Sequence, residues 1–284
     1  SVAYPSVDDA PCSKKISSEI EKLCRKSPGL AAAAVGDVCA MRHACDSGWD
    51  LLSSTDQHGS GALHWAAGGG HVEACAYLVR EKRVPVDATR RKDGRAPLHW
   101  ACRNGRLATC QWLIEHGAQP NSTTYDEGTP FNLAVWKGHL HVARWLVSLG
   151  GVDPGKRNKW GCNALLWACI ASGGGDNMSA KQSPLPTVKW LVDELNVPSD
   201  VVNVNGHCAI HKCAIYGHCD VIDWLVETNK CGGCSEHWGK DDRGSDPSEL
   251  AMTNGFHELS AKLRKMGDAI SHLPVVYTGD VNVE

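Results

Sequence analysis

Ala96-Pro97-Leu98-His99-Trp100-Ala101 is the stretch on which the fold turns. Its proline suits a first helical turn, where a missing N–H costs nothing. The same pattern stands upstream as Gly61-Ala62-Leu63-His64-Trp65-Ala66, and downstream as Thr129-Pro130-Phe131-Asn132-Leu133-Ala134 and Asn163-Ala164-Leu165-Leu166-Trp167-Ala168. Two further copies are Cys208-Ala209-Ile210-His211-Lys212-Cys213 and Asp246-Pro247-Ser248-Glu249-Leu250-Ala251. The fourth position of each falls at 64, 99, 132, 166, 211 and 249, so the steps are 35, 33, 34, 45 and 38. A fixed period of this size is the signature of stacked repeats, each too small to bury its apolar face alone.

A second segment follows most openers: Gly70-His71-Val72, Gly105-Arg106-Leu107, Gly138-His139-Leu140, Gly217-His218-Cys219 and Gly255-Phe256-His257. Glycine there stops one helix and lets the chain turn. An apolar helix with an aromatic–leucine pair comes next, at Tyr77-Leu78, Trp112-Leu113, Trp145-Leu146, Trp190-Leu191 and Trp224-Leu225. Asp56, Asn121 and the glycines at 59, 94, 161, 206 and 244 mark turn-rich connections between units. Each unit reads as helix, turn, helix and extended loop.

These residues closely resemble the ankyrin repeat, with its T-P-L-H-x-A opener. The resemblance covers residues 53–266, with five strong copies and a weaker sixth. It implies an all-α ankyrin-repeat solenoid of five to six helix-turn-helix repeats with a helical N-terminal cap. The Trp-rich openers and the split fourth repeat are similar to ankyrin proteins of algae and related protists, a likeness that names no partner. In ankyrin-like units the opener's histidine bonds to backbone and ties neighbouring repeats. That is the reading of His64, His99 and His211, since a lone imidazole is not a metal-ligand set. Trp65, Trp100 and Trp167 stand where the family is variable and are read as core. Lys212 breaks that column and is read as exposed or snorkelling.

Around the repeats, residues 1–12 form a polar arm and residues 13–52 a helical cap. In the cap, Ser13 to Cys24 places Ile16, Ile20 and Leu23 on one face, and a second helix is expected from Leu30 to Cys45. Its first helix either closes the core or docks on a partner. The step of 45 places an insertion near residues 172–184, read equally as a neutral loop or as a binding loop. Residues 267–284 form an extended tail, loose or laid along a neighbour.

The chain has 284 residues, 42% hydrophobic and 21% charged, with a formal net charge of -3, which fits a globular protein. Its one dense basic run, Arg90, Arg91, Lys92 and Arg95, is interrupted by Asp93 and reads as a solvated loop. That is too little for a nucleic-acid footprint. The longest apolar run, Leu30 to Val35, falls far short of the roughly 20 residues needed to span a bilayer. Of 14 cysteines, Cys75, Cys102, Cys110, Cys169 and Cys213 lie in apolar helical patterns and read as small buried hydrophobes. Scattered thiols point to an intracellular reducing compartment: the cytoplasm, or a plastid or mitochondrion if a presequence once preceded Ser1. The glycosylation triplets at Asn121 and Asn177 are then unused.

No hydrolase, zinc-protease, nucleotide-binding or kinase motif occurs, and no cofactor is implied. Asp241 and Asp242 are paired carboxylates in a loop with no pocket implied. The sharpest chemical feature is Cys231-Gly232-Gly233-Cys234 with His237. It reads as a glycine-rich turn, a zinc site lacking a fixed fourth ligand, or a thiol–disulfide pair. The leading expectation is a non-catalytic protein-binding scaffold, an accessory or assembly subunit. The alternative is a redox or zinc protein using Cys231 and Cys234. The family resemblance places recognition on the loop tips and the exposed side of each first helix. Carried over by position, it marks Lys92, Arg95, Arg103, Asn104, Tyr125, Trp136, Lys137, Lys159, Trp160 and Tyr216. Aromatic residues and arginine dominate interface hot spots, which makes this set suggestive of a protein partner.

Overall fold

Leu98, His99, Ala101 and Cys102 are all buried, and the helix they form lies between its two counterparts from neighbouring repeats. The computed structural model describes residues 27–171, 183–230 and 238–271. Among these residues it is all-helical, a series of helix pairs. They are α1 (Pro28–Val35) with α2 (Val38–Asp46), α3 (Ala62–Gly69) with α4 (Val72–Ala76), and α5 (Pro97–Arg103) with α6 (Leu107–Glu115). Next come α7 (Pro130–Trp136) with α8 (Leu140–Ser148), and α9 (Ala164–Ala168) with α10 (Leu185–Lys189). The last two are α11 (Ala209–Tyr216) with α12 (Cys219–Glu227), and α13 (Pro247–Thr253) with α14 (His257–Ser271). Each first helix packs on the next first helix, from α1 through to α13, so one apolar core runs the length of the stack.

The single helix expected from Leu30 to Cys45 is two helices. Gly36 takes a left-handed φ of 79° and closes α1 with its N–H on Ala32 and Ala33. Asp37 then caps α2, accepting the Ala40 N–H at 2.8 Å. The pair α1–α2 thus repeats the helix-turn-helix geometry without carrying the opener. Its run Ala31–Ala34 is buried, because small side chains let α1 approach α3 closely.

The helix starts follow their sequences. Thr129 accepts from Asn132 N–H at 3.2 Å and Asn163 from Leu166 N–H at 3.2 Å. Asp246 and Glu249 form a reciprocal capping box, so the weakest opener still begins a well-specified helix. Two second helices, α4 and α10, continue as π-helical turns over Tyr77–Glu81 and Trp190–Glu194. The cause lies in the spacing. Elsewhere the residue with positive φ follows the aromatic by five positions, at Gly117, Gly150 and Asn229; here it follows by six, at Arg83 and Asn196. One added residue inside a helix is accommodated as a π turn.

The three opener histidines tie repeat to repeat. His64 Nε2 lies 2.9 Å from Arg95 O, His99 Nε2 3.4 Å from Gly128 O, and His211 Nε2 3.1 Å from Gly239 O. His99 Nδ1 accepts the Ala96 N–H at 3.1 Å, so its Nε2 carries the proton and donates. In the fourth repeat, where Leu166 replaces histidine, Asn163 Nδ2 makes the equivalent bond to Pro198 O at 2.8 Å. The five cysteines expected inside the helices, Cys75, Cys102, Cys110, Cys169 and Cys213, are buried, and the ten cysteines among the described residues are free thiols.

Candidate protein-binding face

Four of the loops that precede first helices are fingers built on one plan. A short polar side chain at the base accepts backbone N–H groups two and four residues on. Asp56 Oδ1 takes those of His58 and Ser60, and Asn158 Oδ1 those of Trp160 and Cys162. Asn203 Oδ1 takes those of Asn205 and His207, and Asp241 Oδ1 those of Arg243 and Ser245. Successive fingers are then stitched side by side. Tyr125 N–H donates to Asp93 O at 2.9 Å, Lys159 N–H to Asp126 O at 3.1 Å and Val204 N–H to Trp160 O at 3.0 Å. Backbone groups are consumed in this ladder, so the finger side chains are left to face outward.

Among these mostly polar side chains three large apolar groups stand exposed. Tyr125 is 61% exposed, Val204 53% and Trp160 50%. Tyr125 also covers Gly94 of the preceding finger, where an added Cβ would meet the ring at 2.7 Å. Lys159 is exposed beside Trp160, and exposed Lys92 reaches His58 Nδ1 at 3.4 Å.

Alongside the fingers the first helices carry tryptophans and cations. Arg103 lies over the Trp136 ring at 5.8 Å and Lys137 over the same ring at 4.2 Å. Trp136 in turn meets Trp167 edge-on at 5.8 Å. Further up the stack Trp65 and Trp100 are 5.4 Å apart, and Arg90 lies over Trp100 at 5.5 Å. Burial, and then the Arg103 charge, hold the Lys137 ammonium below the usual lysine range. Among the described residues, Arg103 Nε and the indole Nε1 of Trp65, Trp100 and Trp167 are covered yet meet no acceptor.

Three expectations change here. Trp65, Trp100 and Trp167 are half-buried rather than core, and Trp65 and Trp167 pack against the buried layer. The basic run is not wholly solvated, because Arg90 is 9% exposed and ion-paired with Asp93. Burial works against the Asp93 carboxylate, yet Arg90, the Arg95 N–H and two guanidinium charges hold it below its usual range. Lys212 is half-buried in the wall of a pocket, so of its two readings the exposed one is dropped and snorkelling stands.

Of the positions marked from sequence, Arg103, Trp136 and Lys137 come together as one cluster. Trp160 stands beside Trp167 in the pocket wall. Arg95 sits 3.2 Å from Asp93 Oδ2. Asn104 is committed inward, donating to Gly68 O of the preceding repeat at 2.9 Å. Tyr216, 41% exposed, lies apart at the end of α11 against His218. Trp167 and Lys212, which sequence reasoning did not mark, line the same pocket as Trp160. Their signal was present: they occupy one column of the openers, and a lysine among tryptophans stands out. Cys231, Cys234 and His237 lie outside the described residues, as do the first cap helix, most of the insertion and most of the tail. Among the described residues no group of three or more His, Cys, Asp or Glu is placed to hold a metal. No described helix is long and apolar enough to cross a membrane.

A stack of helix pairs tied through opener histidines, with a ladder of fingers along one side, defines a repeat array. The family description "Ankyrin repeats (3 copies)" matches residues 30–124 and 131–235, and the chain belongs to that family. The match begins within α1, in the segment read from sequence as a cap. Among solved structures the chain is similar to the human ASB11 ankyrin repeat domain. That likeness has a TM-score of 0.60 and 23% identity, over 84% of this chain and 97% of that one; it speaks for the fold alone. Among curated proteins it is 31% identical to the palmitoyltransferase AKR1 of Yarrowia lipolytica over 86 residues, which are 30% of this chain and 12% of that protein. The chain therefore spans a small part of that relative. Ankyrin repeats are in general a protein-interaction fold, and fold by itself names no partner.

Proposed function

We propose that this chain is a non-catalytic scaffold, an accessory or assembly subunit, that holds a protein partner on its finger and first-helix face. The observation that carries this is the Arg103–Trp136–Lys137 cluster beside half-exposed Trp160. Aromatics and cations are gathered on one side, partly desolvated, with no carboxylate among the described residues paired to Arg103 or Lys137. Such a patch has the composition of an interface centre, where tryptophan, tyrosine and arginine concentrate binding energy. A monomer rarely leaves apolar surface of this kind without a use.

Lysine crosslinking with mass spectrometry in native extract is the test. Lys92, Lys137 and Lys159 should link to one recurring protein. Trp136→Ala with Trp160→Ala should remove those links while the melting temperature changes little. Links arising only outside this face, or surviving the double substitution, would refute the assignment.

A further inference from the structure

Between the fourth and fifth fingers lies a pocket lined by Trp160, Trp167, Ile170, Asn203, Asn205 and Lys212 among others, with a volume of about 170 Å³. Its size limits what it takes. Pockets for cofactors and drug-sized ligands run to roughly 300–1,000 Å³, so this one suits a single side chain. Its walls are two indole rings, Leu166, Ile170, the Cys162 thiol and the carboxamides of Asn158, Asn203 and Asn205. Lys212 supplies its one ammonium group.

That ammonium meets no counter-charge among the described residues. Asp241, the buried carboxylate of the neighbouring finger, is already committed to His207 Nε2 at 2.9 Å and to the N–H groups of Arg243 and Ser245. The indole N–H of Trp167 is likewise covered without an acceptor. A cation half-removed from water and walled by aromatic rings gains most from one compact anion. Lysine binds phosphate as well as carboxylate, but no second cation lines this pocket to share a phosphate's charge, which favours the singly charged carboxylate.

We propose that this pocket is the socket for one acidic side chain, an aspartate or glutamate of an extended partner segment. Its carboxylate seats on Lys212, and its apolar neighbours lie against Trp160 and Trp167. The proposal rests on the reading that this face binds a protein, and it adds the chemistry of the partner's anchor.

The full chain is panned against a display library of random linear peptides, and enriched peptides are synthesised for affinity measurement. The enriched set should share one Asp or Glu flanked by apolar residues. Lys212→Met and the peptide's own Glu→Gln should each weaken binding by roughly thirtyfold or more, the scale on which removing one partner of a desolvated charge pair acts. Together they should weaken it little further, and Lys212→Arg should keep most of the affinity. Lys212→Met should fold, because tryptophan or leucine occupies that column in other repeats; an unchanged or raised melting temperature checks this. Enrichment without a common acid, dependence on a phosphorylated residue, or an acid requirement that survives Lys212→Met would overturn the socket. If such peptides still lose affinity in Trp136→Ala and Trp160→Ala, the binding face stands and only the socket falls. If no peptide is enriched, or none responds to any of these substitutions, both fall.

Discussion

Acid should loosen this protein through His99, and the structure sets the size of the effect. His99 is fully buried between two repeats, its Nδ1 accepting from Ala96 N–H and its Nε2 facing Gly128 O. Both bonds are made by the neutral ring. Burial pulls the imidazole down from its ordinary 6.5 to about 4. Between those values the unfolded chain binds a proton that the folded chain refuses. The contribution is therefore complete above pH 6.5 and is lost as pH falls toward 4. At 1.36 kcal/mol per unit the whole loss is about 3 kcal/mol, of which about 2 kcal/mol falls between pH 7 and pH 5. Urea unfolding at both pH values measures it. His99→Asn borrows the residue that stands at this position in the next repeat, Asn132. The variant should be less stable at pH 7, by about 1–3 kcal/mol for the unmade bonds, but should lose about 2 kcal/mol less than the parent on going to pH 5. His64, His71 and His207 are shifted in the same direction, chiefly by burial, so the parent's total fall should exceed the His99 share. Equal losses in parent and variant would refute the assignment of the acid transition to this histidine.

Gly94→Ala should cost about 1–2 kcal/mol from its positive φ alone, and it should also lift the Tyr125 ring, seen as altered tyrosine fluorescence or chemical shifts. Leu98→Ala, in the fully buried part of α5, should destabilise by about 2–5 kcal/mol in urea melts. Arg103→Ala should weaken partner capture while changing the melting temperature little, because its guanidinium stacks on Trp136 without an ion pair among the described residues; a large loss of stability would make it structural. Among the ten described cysteines, thiol titration of the native protein should modify exposed Cys39 and Cys219 before the buried ones. Cys75, whose thiol burial pushes up to about 12, should react only on unfolding.

The openers determined the fold because each position in them answers to a local demand. Pro97 or Pro130 starts a helix, Gly70 or Gly138 ends one, and a shared apolar spacing obliges successive pairs to stack. The histidine ties at His64, His99 and His211 were legible through the resemblance to the ankyrin opener, which implies them. Sequence also held, unread, the cause of the two π turns: one residue more between Tyr77 and Arg83, and between Trp190 and Asn196, than in the other repeats. Local pattern failed where an opener was missing. The run from Leu30 to Cys45 reads as one apolar helix, and only a left-handed Gly36 stabilised by packing of Ala31–Ala34 on α3 divides it. The proposed face was marked residue by residue, through the family resemblance, but not as a surface. Sequence placed Arg103, Trp136, Lys137 and Trp160 outward, yet it could not bring Trp167 and Lys212, 45 residues apart, into one pocket wall. That juxtaposition comes from the rise between adjacent repeats, and the same rise sets Lys212 in one pocket lining with Trp160 and Trp167 while Asp241 is taken by His207.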